Sequence, residues 1–190
     1  MRRNIIVAKK ALSPETCNKI IELGKLNFVD ARIGEVGNNE LNKRIRDSQI
    51  CWLDEPLKYL DIIHPIQKLI ADINYKFYGF DISGHENFQV TKYDEKNRGK
   101  YDPHFDGVYD NVAPGGTVRK LSVSIQLTSA DYYEGGNLIF PDDKHSFNAE
   151  DAKEQGTAIF FPSYVLHGVE PVTKGIRFSL VCWSTGPNFY

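Results

Sequence analysis

The sequence predicts an α+β chain that is mainly β: a sandwich or jelly roll with N-terminal helices packed on one sheet. Three observations carry this. From residue 87 onward, short runs rich in β-branched and aromatic residues alternate with Gly, Pro, Asn and Asp turns. Before that point, two stretches keep apolar residues at helical spacing. No internal repeat or low-complexity segment interrupts the pattern, so two helices feeding many strands read as a buttress behind a sheet. A length of 190 residues fits one domain, residues 1–190, with the helical buttress over about 10–80 and the strand-rich core over about 87–185.

Taken in order, residues 5–8 form a short apolar strand. Ser13-Pro14-Glu15 supplies a hydroxyl cap, a proline at the first helical position and an acid in the first turn, which starts a helix over about 14–26. Residues 30–47 are polar and glycine-bearing with no steady period, and are expected to be a long surface loop. Ile50 to Leu53 reads as a short strand. The second helical region begins near Pro56, and Pro65 is expected to break it. Beyond it Ile66, Leu69, Ile70, Ile73 and Phe77 keep a one-faced stripe up to Gly79. Strands follow over 87–93, 100–106, 118–127, 137–140, 157–161, 164–169 and 176–183. In the third of these Leu121, Val123, Ile125 and Leu127 share one face and belong in a core. Ser122, Ser124 and Gln126 share the other, which either meets solvent or lines a cavity.

Composition removes several classes of function. Hydrophobic residues make up 41%, charged residues 25%, and the net charge is −2, as in an ordinary globular protein. No long basic run appears, so nucleic acid is not an expected partner. The apolar run near the amino terminus is too short for a signal peptide or a membrane span, and no membrane association is expected. Cys17, Cys51 and Cys182 are odd in number and widely spaced, which suits a reduced, cytoplasmic setting and not a cysteine metal site.

The residues that carry chemistry centre on Tyr101-Asp102-Pro103-His104-Phe105-Asp106-Gly107. His104 and Asp106 leave the same face of an extended strand. With His167 they offer two imidazoles and one carboxylate, the set of a facial triad that leaves the opposite metal positions open. Asp102 shares their parity but precedes a proline and ranks behind Asp106. Arg177 lies in a strand that is otherwise apolar from Ile176 to Trp183 apart from Ser179. Such an arginine either escapes to water or meets an anion, and its planar fork suits a carboxylate. His64, His85 and His145 are expected at the surface.

These residues, in this order and spacing, resemble the Fe(II)/2-oxoglutarate-dependent dioxygenase superfamily. Within it the chain is most similar to the prolyl 4-hydroxylase-like branch and its small PKHD-type hydroxylases. Supporting stretches are Arg46-Asp47-Ser48, Val90-Thr91-Lys92-Tyr93, Arg119-Lys120-Leu121-Ser122, Tyr132-Tyr133-Glu134-Gly135-Gly136, Leu166-His167-Gly168-Val169 and Gly175-Ile176-Arg177. The resemblance implies a double-stranded β-helix that uses Fe(II), 2-oxoglutarate and O2, with ascorbate as reductant and succinate and CO2 as co-products. It implies His104, Asp106 and His167 as iron ligands and Arg177 on the distal carboxylate of 2-oxoglutarate. Tyr93, Ser122, Gln126 and Trp183 are implied around the cofactor, Gln126 standing where some relatives have a tyrosine.

An intact Asp106 argues for hydroxylation over halogenation. The second arginine of the related base demethylases is replaced by Trp183. The implied substrate is a prolyl residue in a peptide or protein, or alternatively free proline or another small amino acid. A cupin-like metalloenzyme without 2-oxoglutarate explains the triad but not Arg177. Residues 30–47 and 107–118 are expected to fold over the substrate, with Arg119, Tyr109 and Tyr101 beside it.

Overall fold

Alternation along the strands decides the architecture. The computed structural model describes residues 5–35, 38–55, 57–107, 116–143 and 147–189. Strand β1 (Ile6–Ala8) leads into helix α1 (Pro14–Gly24), where the Thr16 N–H donates to Ser13 Oγ at 3.1 Å, the cap foreseen from sequence. Then come β2 (Val29–Asp30), β3 (Ile33–Glu35), β4 (Asn38–Glu40), β5 (Arg46–Asp47) and β6 (Gln49–Leu53). The stretch expected to be a loop therefore holds strands. β3 pairs with β4, β2 extends the edge of β6, and β5 pairs with the strand at Lys100–His104. Strands of two or three residues carry no readable alternation, so backbone pairing decides where side-chain pattern is silent.

Helix α2 (Leu60–Ile73) runs through Pro65 without breaking. Pro65 costs one backbone hydrogen bond, but it points to solvent, while Ile62, Ile63, Ile66 and Ile70 are buried against the sheet and hold the helix together. A π-turn at Asn74–Tyr78 ends it, capped by Gly79 at φ 68°. The wider turn shifts the phase, so Tyr78 reaches inward and donates to the Phe160 carbonyl at 2.9 Å. Phe77, expected on the apolar stripe, is 37% exposed.

The remaining strands are β7 (Gly84–His85), β8 (Phe88–Asp94), β9 (Lys100–His104), β10 (Thr117–Gln126), β11 (Tyr133–Gly135), β12 (Leu138–Ile139), β13 (Ala158–Pro162), β14 (His167–Val169) and β15 (Val172–Pro187). The large sheet runs β1-β13-β10-β15-β8-β6-β2, and a smaller one runs β12-β14-β9-β5. All their pairings are antiparallel. Both helices cover the outer face of the large sheet, where Ile20, Ile62, Ile66 and Ile70 cluster with Val90, Leu121, Val123, Ile125 and Leu180. A second cluster, including Tyr93, Leu138, Phe140, Phe161, Val169 and Val172, lies between the sheets. This is a mainly β jelly roll with helices on one sheet, as the sequence predicted.

Because one face of the large sheet is committed to the helices, the opposite parity must face the smaller sheet. Ser122, Ser124 and Gln126 are buried there, not at a solvent face. The register sets Ser122 opposite Trp183, Gln126 opposite Ser179, and Tyr93 opposite Arg177. The helical buttress thus dictates which side chains meet in the interior. Replacing Ile70, fully buried beneath the sheet, with alanine is expected to lower unfolding free energy by about 2–5 kcal/mol. A urea titration showing a loss below about 1 kcal/mol would place α2 outside the cooperative core.

Candidate active site

His104 ends β9 and His167 begins β14, and the two are cross-strand partners. Gly168 permits this crossing: a Cβ there would lie 2.9 Å from the Tyr101 carbonyl. Asp106 sits just beyond the end of β9. Its backbone N–H donates to the Ser163 carbonyl at 3.0 Å, and the Gly107 N–H does the same at 3.1 Å. The Ser163 N–H donates in turn to the Lys120 carbonyl at 3.0 Å, tying the turn to β10.

The donor atoms converge. His104 Nε2 lies 3.6 Å from Asp106 Oδ1 and His167 Nε2 lies 3.4 Å from Asp106 Oδ2. One ligand-type atom from each residue falls within 4.8 Å of the others, the one such group found among the described residues. Each histidine has Nδ1 at 2.9 Å from a backbone carbonyl two residues earlier, Asp102 for His104 and Val165 for His167. A carbonyl oxygen only accepts, so Nδ1 carries the proton in both rings and the Nε2 lone pairs point at the shared centre.

Burial pushes the Asp106 carboxyl upward. His167, His104 and the Ser122 hydroxyl more than offset that and hold it well below the usual carboxylate range. Ser122 Oγ donates to Asp106 Oδ2 at 2.7 Å and lies 2.9 Å from Ser163 Oγ. Burial lowers the His167 pKa, against the opposing pull of Asp106. Asp102 is engaged elsewhere, with Lys100 Nζ at 2.7 Å from its carboxylate.

Deeper in the interior, Arg177 is 3% exposed. Its Nε donates to Gln126 Oε1 at 3.0 Å, while Gln126 Nε2 donates to the Thr128 carbonyl at 2.8 Å. Flipping that amide would break both bonds, so its orientation is fixed. Arg177 Nη1 is buried without a partner, and no acid pairs with this guanidinium among the described residues. Gly136, at φ 59°, gives the side chain room, since a Cβ there would meet Arg177 Cδ at 3.0 Å. Tyr93 is buried beneath it, with the guanidinium 5.5 Å from the ring centre.

These groups open onto a cleft of about 1170 Å³ whose lining includes His104, Asp106, His167, Arg177, Tyr93 and Trp183. Tyr101 stacks on the His104 ring with centroids 3.5 Å apart. Arg119 lines the cleft as well, but Glu86 is its main partner. Nε donates to Glu86 Oε1 at 2.6 Å, and the guanidinium lies 3.9 Å over the Trp183 ring. Trp183 Nε1 is buried with no hydrogen-bond partner. His85, expected at the surface, is half-buried in β7 with Nδ1 3.0 Å from Ser184 Oγ, because β7 pairs with β15. His64 is exposed as expected. Tyr109 and His145 lie outside the described residues.

Sequence reasoning did not single out a role for Arg46, Glu86, Gln89, Thr91, Ser163 or Trp52. All but Ser163 line the cleft. Gln89 and Thr91 share the parity of Tyr93 in β8, and that inward polar row was a usable signal. Arg46 lay inside a stretch without period, and Ser163 gave no sign in its neighbours.

The model of the 2OG-Fe(II) oxygenase superfamily matches residues 88–185. The chain belongs to this superfamily. The family uses Fe(II), 2-oxoglutarate and O2, and the His-Asp-His group suits the metal. A PKHD-type hydroxylase of Aliarcobacter butzleri is 31% identical over 85% of this chain and 69% of its own length. One from Stenotrophomonas maltophilia is 38% identical over 45% of this chain, a segment covering 37% of that relative. Two solved structures share the oxygenase's fold. The viral collagen prolyl hydroxylase of Paramecium Bursaria Chlorella virus-1, as its 2OG complex, gives a TM-score of 0.72 at 21% identity, covering 97% of both chains. A Trichoplax adhaerens prolyl hydroxylase bound to a hypoxia inducible factor peptide gives 0.70 at 20% identity, covering 95% of this chain and 83% of that one. No helix among the described residues of this oxygenase is long and apolar enough to cross a membrane.

The Ser122 hydroxyl holds one oxygen of the only carboxylate in the metal-type group. Ser122→Ala is expected to weaken binding of Mn(II), as a redox-silent stand-in for Fe(II), by roughly 10–100-fold. Calorimetric titration checks this, and an unchanged affinity would mean that the hydroxyl does not orient the carboxylate.

Proposed function

We propose that this oxygenase hydroxylates prolyl residues in a peptide or protein, consuming 2-oxoglutarate and O2 and releasing succinate and CO2. One observation supports the cosubstrate above others: the unpartnered Nη1 of Arg177, buried beside the His-Asp-His group. A desolvated guanidinium without an acid is costly, and a carboxylate of 2-oxoglutarate compensates it through charge-assisted hydrogen bonds. The donor set fits Fe(II), since two neutral imidazole nitrogens and one carboxylate leave positions for a chelating cosubstrate and O2.

In this reading His104, Asp106 and His167 hold the metal and Arg177 anchors the distal carboxylate of the cosubstrate. When bound, Fe(II) and 2-oxoglutarate supply the oxidation, one oxygen atom entering succinate and the other the substrate. The protein's own residues do the positioning. Gln126 fixes the Arg177 side chain through Nε, Tyr93 packs under its guanidinium, and Ser122 orients Asp106. Trp183 offers an indole N–H to the cleft, and Tyr101 backs the His104 ring. A reductant such as ascorbate would restore Fe(II) after unproductive turnovers.

The prolyl assignment draws support from the neighbours' own substrates, since the structural relatives act as prolyl hydroxylases and one holds a peptide. The breadth of the cleft points the same way, because about 1170 Å³ exceeds the usual small-molecule pocket. A proline residue also enters with φ already fixed, which lowers the entropy cost of binding.

Two measurements test the reading. Arg177→Ala truncates a buried charged pair worth about 2–5 kcal/mol, so the apparent affinity for 2-oxoglutarate is expected to fall roughly 30-fold or more, with Mn(II) binding little changed. An unaltered 2-oxoglutarate dependence would overturn the anchor. For the substrate, proline-containing peptides are expected to gain one oxygen atom on proline by mass spectrometry and to stimulate succinate formation far more than free L-proline. If only a free amino acid gained oxygen, the peptide reading would fall.

A further inference from the structure

Among the described residues of the cleft wall, Arg46 is a cation held in place without an acid. Arg46 is the cross-strand partner of Tyr101, and its guanidinium lies 4.6 Å over that ring. Nε donates to Ser48 Oγ at 2.9 Å and Nη2 to Gln89 Oε1 at 3.0 Å. Both acceptors are neutral, and Nη1 has no hydrogen-bond partner among the described residues. The side chain is therefore held firmly by uncharged groups, with its charge uncompensated and one N–H pair still to donate.

The anions of the cleft are already committed. Asp30 is paired with Lys43 at 3.1 Å, Glu86 with Arg119, and Asp106 with the two imidazoles. Arg46 and the exposed Arg32, both lining residues, have no acid within 4.0 Å among the described residues. The surrounding surface is apolar, with Val29 58%, Leu41 49% and Trp52 39% exposed along the same wall. Such a mouth suits a chain with an apolar body and an acidic group.

We infer that Arg46 is a specificity-determining residue that selects peptides carrying an Asp or Glu close to the target residue. The inference rests on the peptide-hydroxylase reading and names its substrate class. The geometry sets the spacing. Ring stacking of 3.5 Å from His104 to Tyr101 and 4.6 Å from Tyr101 to Arg46 separates the guanidinium from the metal-type group. An extended peptide advances about 3.3–3.6 Å per residue, so the acid falls within about two residues of the one that reacts.

The test uses blocked prolyl peptides with Glu, Gln or Lys within two residues of the proline, on either side. Hydroxylation is followed by mass spectrometry, and binding by fluorescence anisotropy in the presence of Mn(II) and 2-oxoglutarate. The protein is expected to favour Glu over Lys peptides in kcat/KM by roughly tenfold or more. Arg46→Lys should keep that preference, Arg46→Gln should abolish it, and Arg46→Glu should invert it. A merely structural role would lower turnover of all the peptides alike and leave the ratio untouched. Hydroxylation of every peptide without regard to charge would overturn this inference and leave the prolyl reading standing. Failure of all peptides to bind or react would overturn both.

Discussion

The structure depends on one desolvated carboxylate. Asp106 is buried where its charge is expensive, and it stays ionised because two imidazoles and a serine hydroxyl converge on it. Those imidazoles donate their Nδ1 protons to backbone carbonyls, and burial disfavours a second proton on His167. The carboxylate is thus held by the Ser122 hydroxyl and faced by the two Nε2 atoms. A divalent cation held by the Nε2 atoms and the carboxylate would complete the charge balance that the protein alone leaves open, which is how a buried ionic site acquires affinity for metal. The strands then follow from the site's needs: β9 and β14 must pair so that the histidines face each other, and the Ser163 turn must fix the backbone of Asp106.

The large sheet divides labour by parity. Phe88, Val90, Leu121, Val123, Ile125, Phe178 and Leu180 share one parity in β8, β10 and β15 and pack in the cluster that includes α1 and α2, which supplies stability. Residues of the other parity are mostly polar or aromatic, among them Gln89, Thr91, Tyr93, Ser124, Arg177, Ser179 and Trp183, and meet the cleft. A shift of one residue in any of these strands would exchange the two sets, placing Leu121 and Phe178 in the cleft and burying Ser122 and Arg177 under the helices. The cost of that exchange makes the register highly specific, so the core guarantees the placement of the site. The metal-type residues lie instead on the smaller sheet and its exits, where short strands and the turn at Ser163 allow the closer approach that three ligands require.

Much of this was legible beforehand. Leu121 to Leu127 announced its two faces, Ser13-Pro14 its cap, and the His104-x-Asp106 pair with His167 its convergence. Arg177 was recognisable because a charge inside an apolar strand demands an explanation. What was illegible shares a physical cause, namely interactions whose partners are distant in sequence and whose local pattern is short. The strands within residues 29–47 are too brief to alternate visibly, so Arg46 seemed part of a loop. Pro65 was read as a break because local rules count the lost hydrogen bond but not the four isoleucines anchoring the helix. His85 looked exposed because its cover, Ser184, comes from the far end of the chain.

Gln126 shows how one amide constrains the way a buried arginine can be used. Where some relatives resembling this chain place a tyrosine, the amide reaches Arg177 directly and accepts from Nε. One of the two N–H donors on its own amide is engaged by the Thr128 carbonyl. The consequence falls on the arginine. A guanidinium can present a carboxylate either its Nε side or the end formed by its two terminal nitrogens, and here the Nε side is occupied. In the proposed reading recognition would fall to the terminal end, where Nη1 is unpartnered. The amide here holds the residue proposed to bind the ligand. In the proposed reading Arg177 would anchor the anion, held from behind by Gln126, and the open space at Gly136 lets that side chain take up its position.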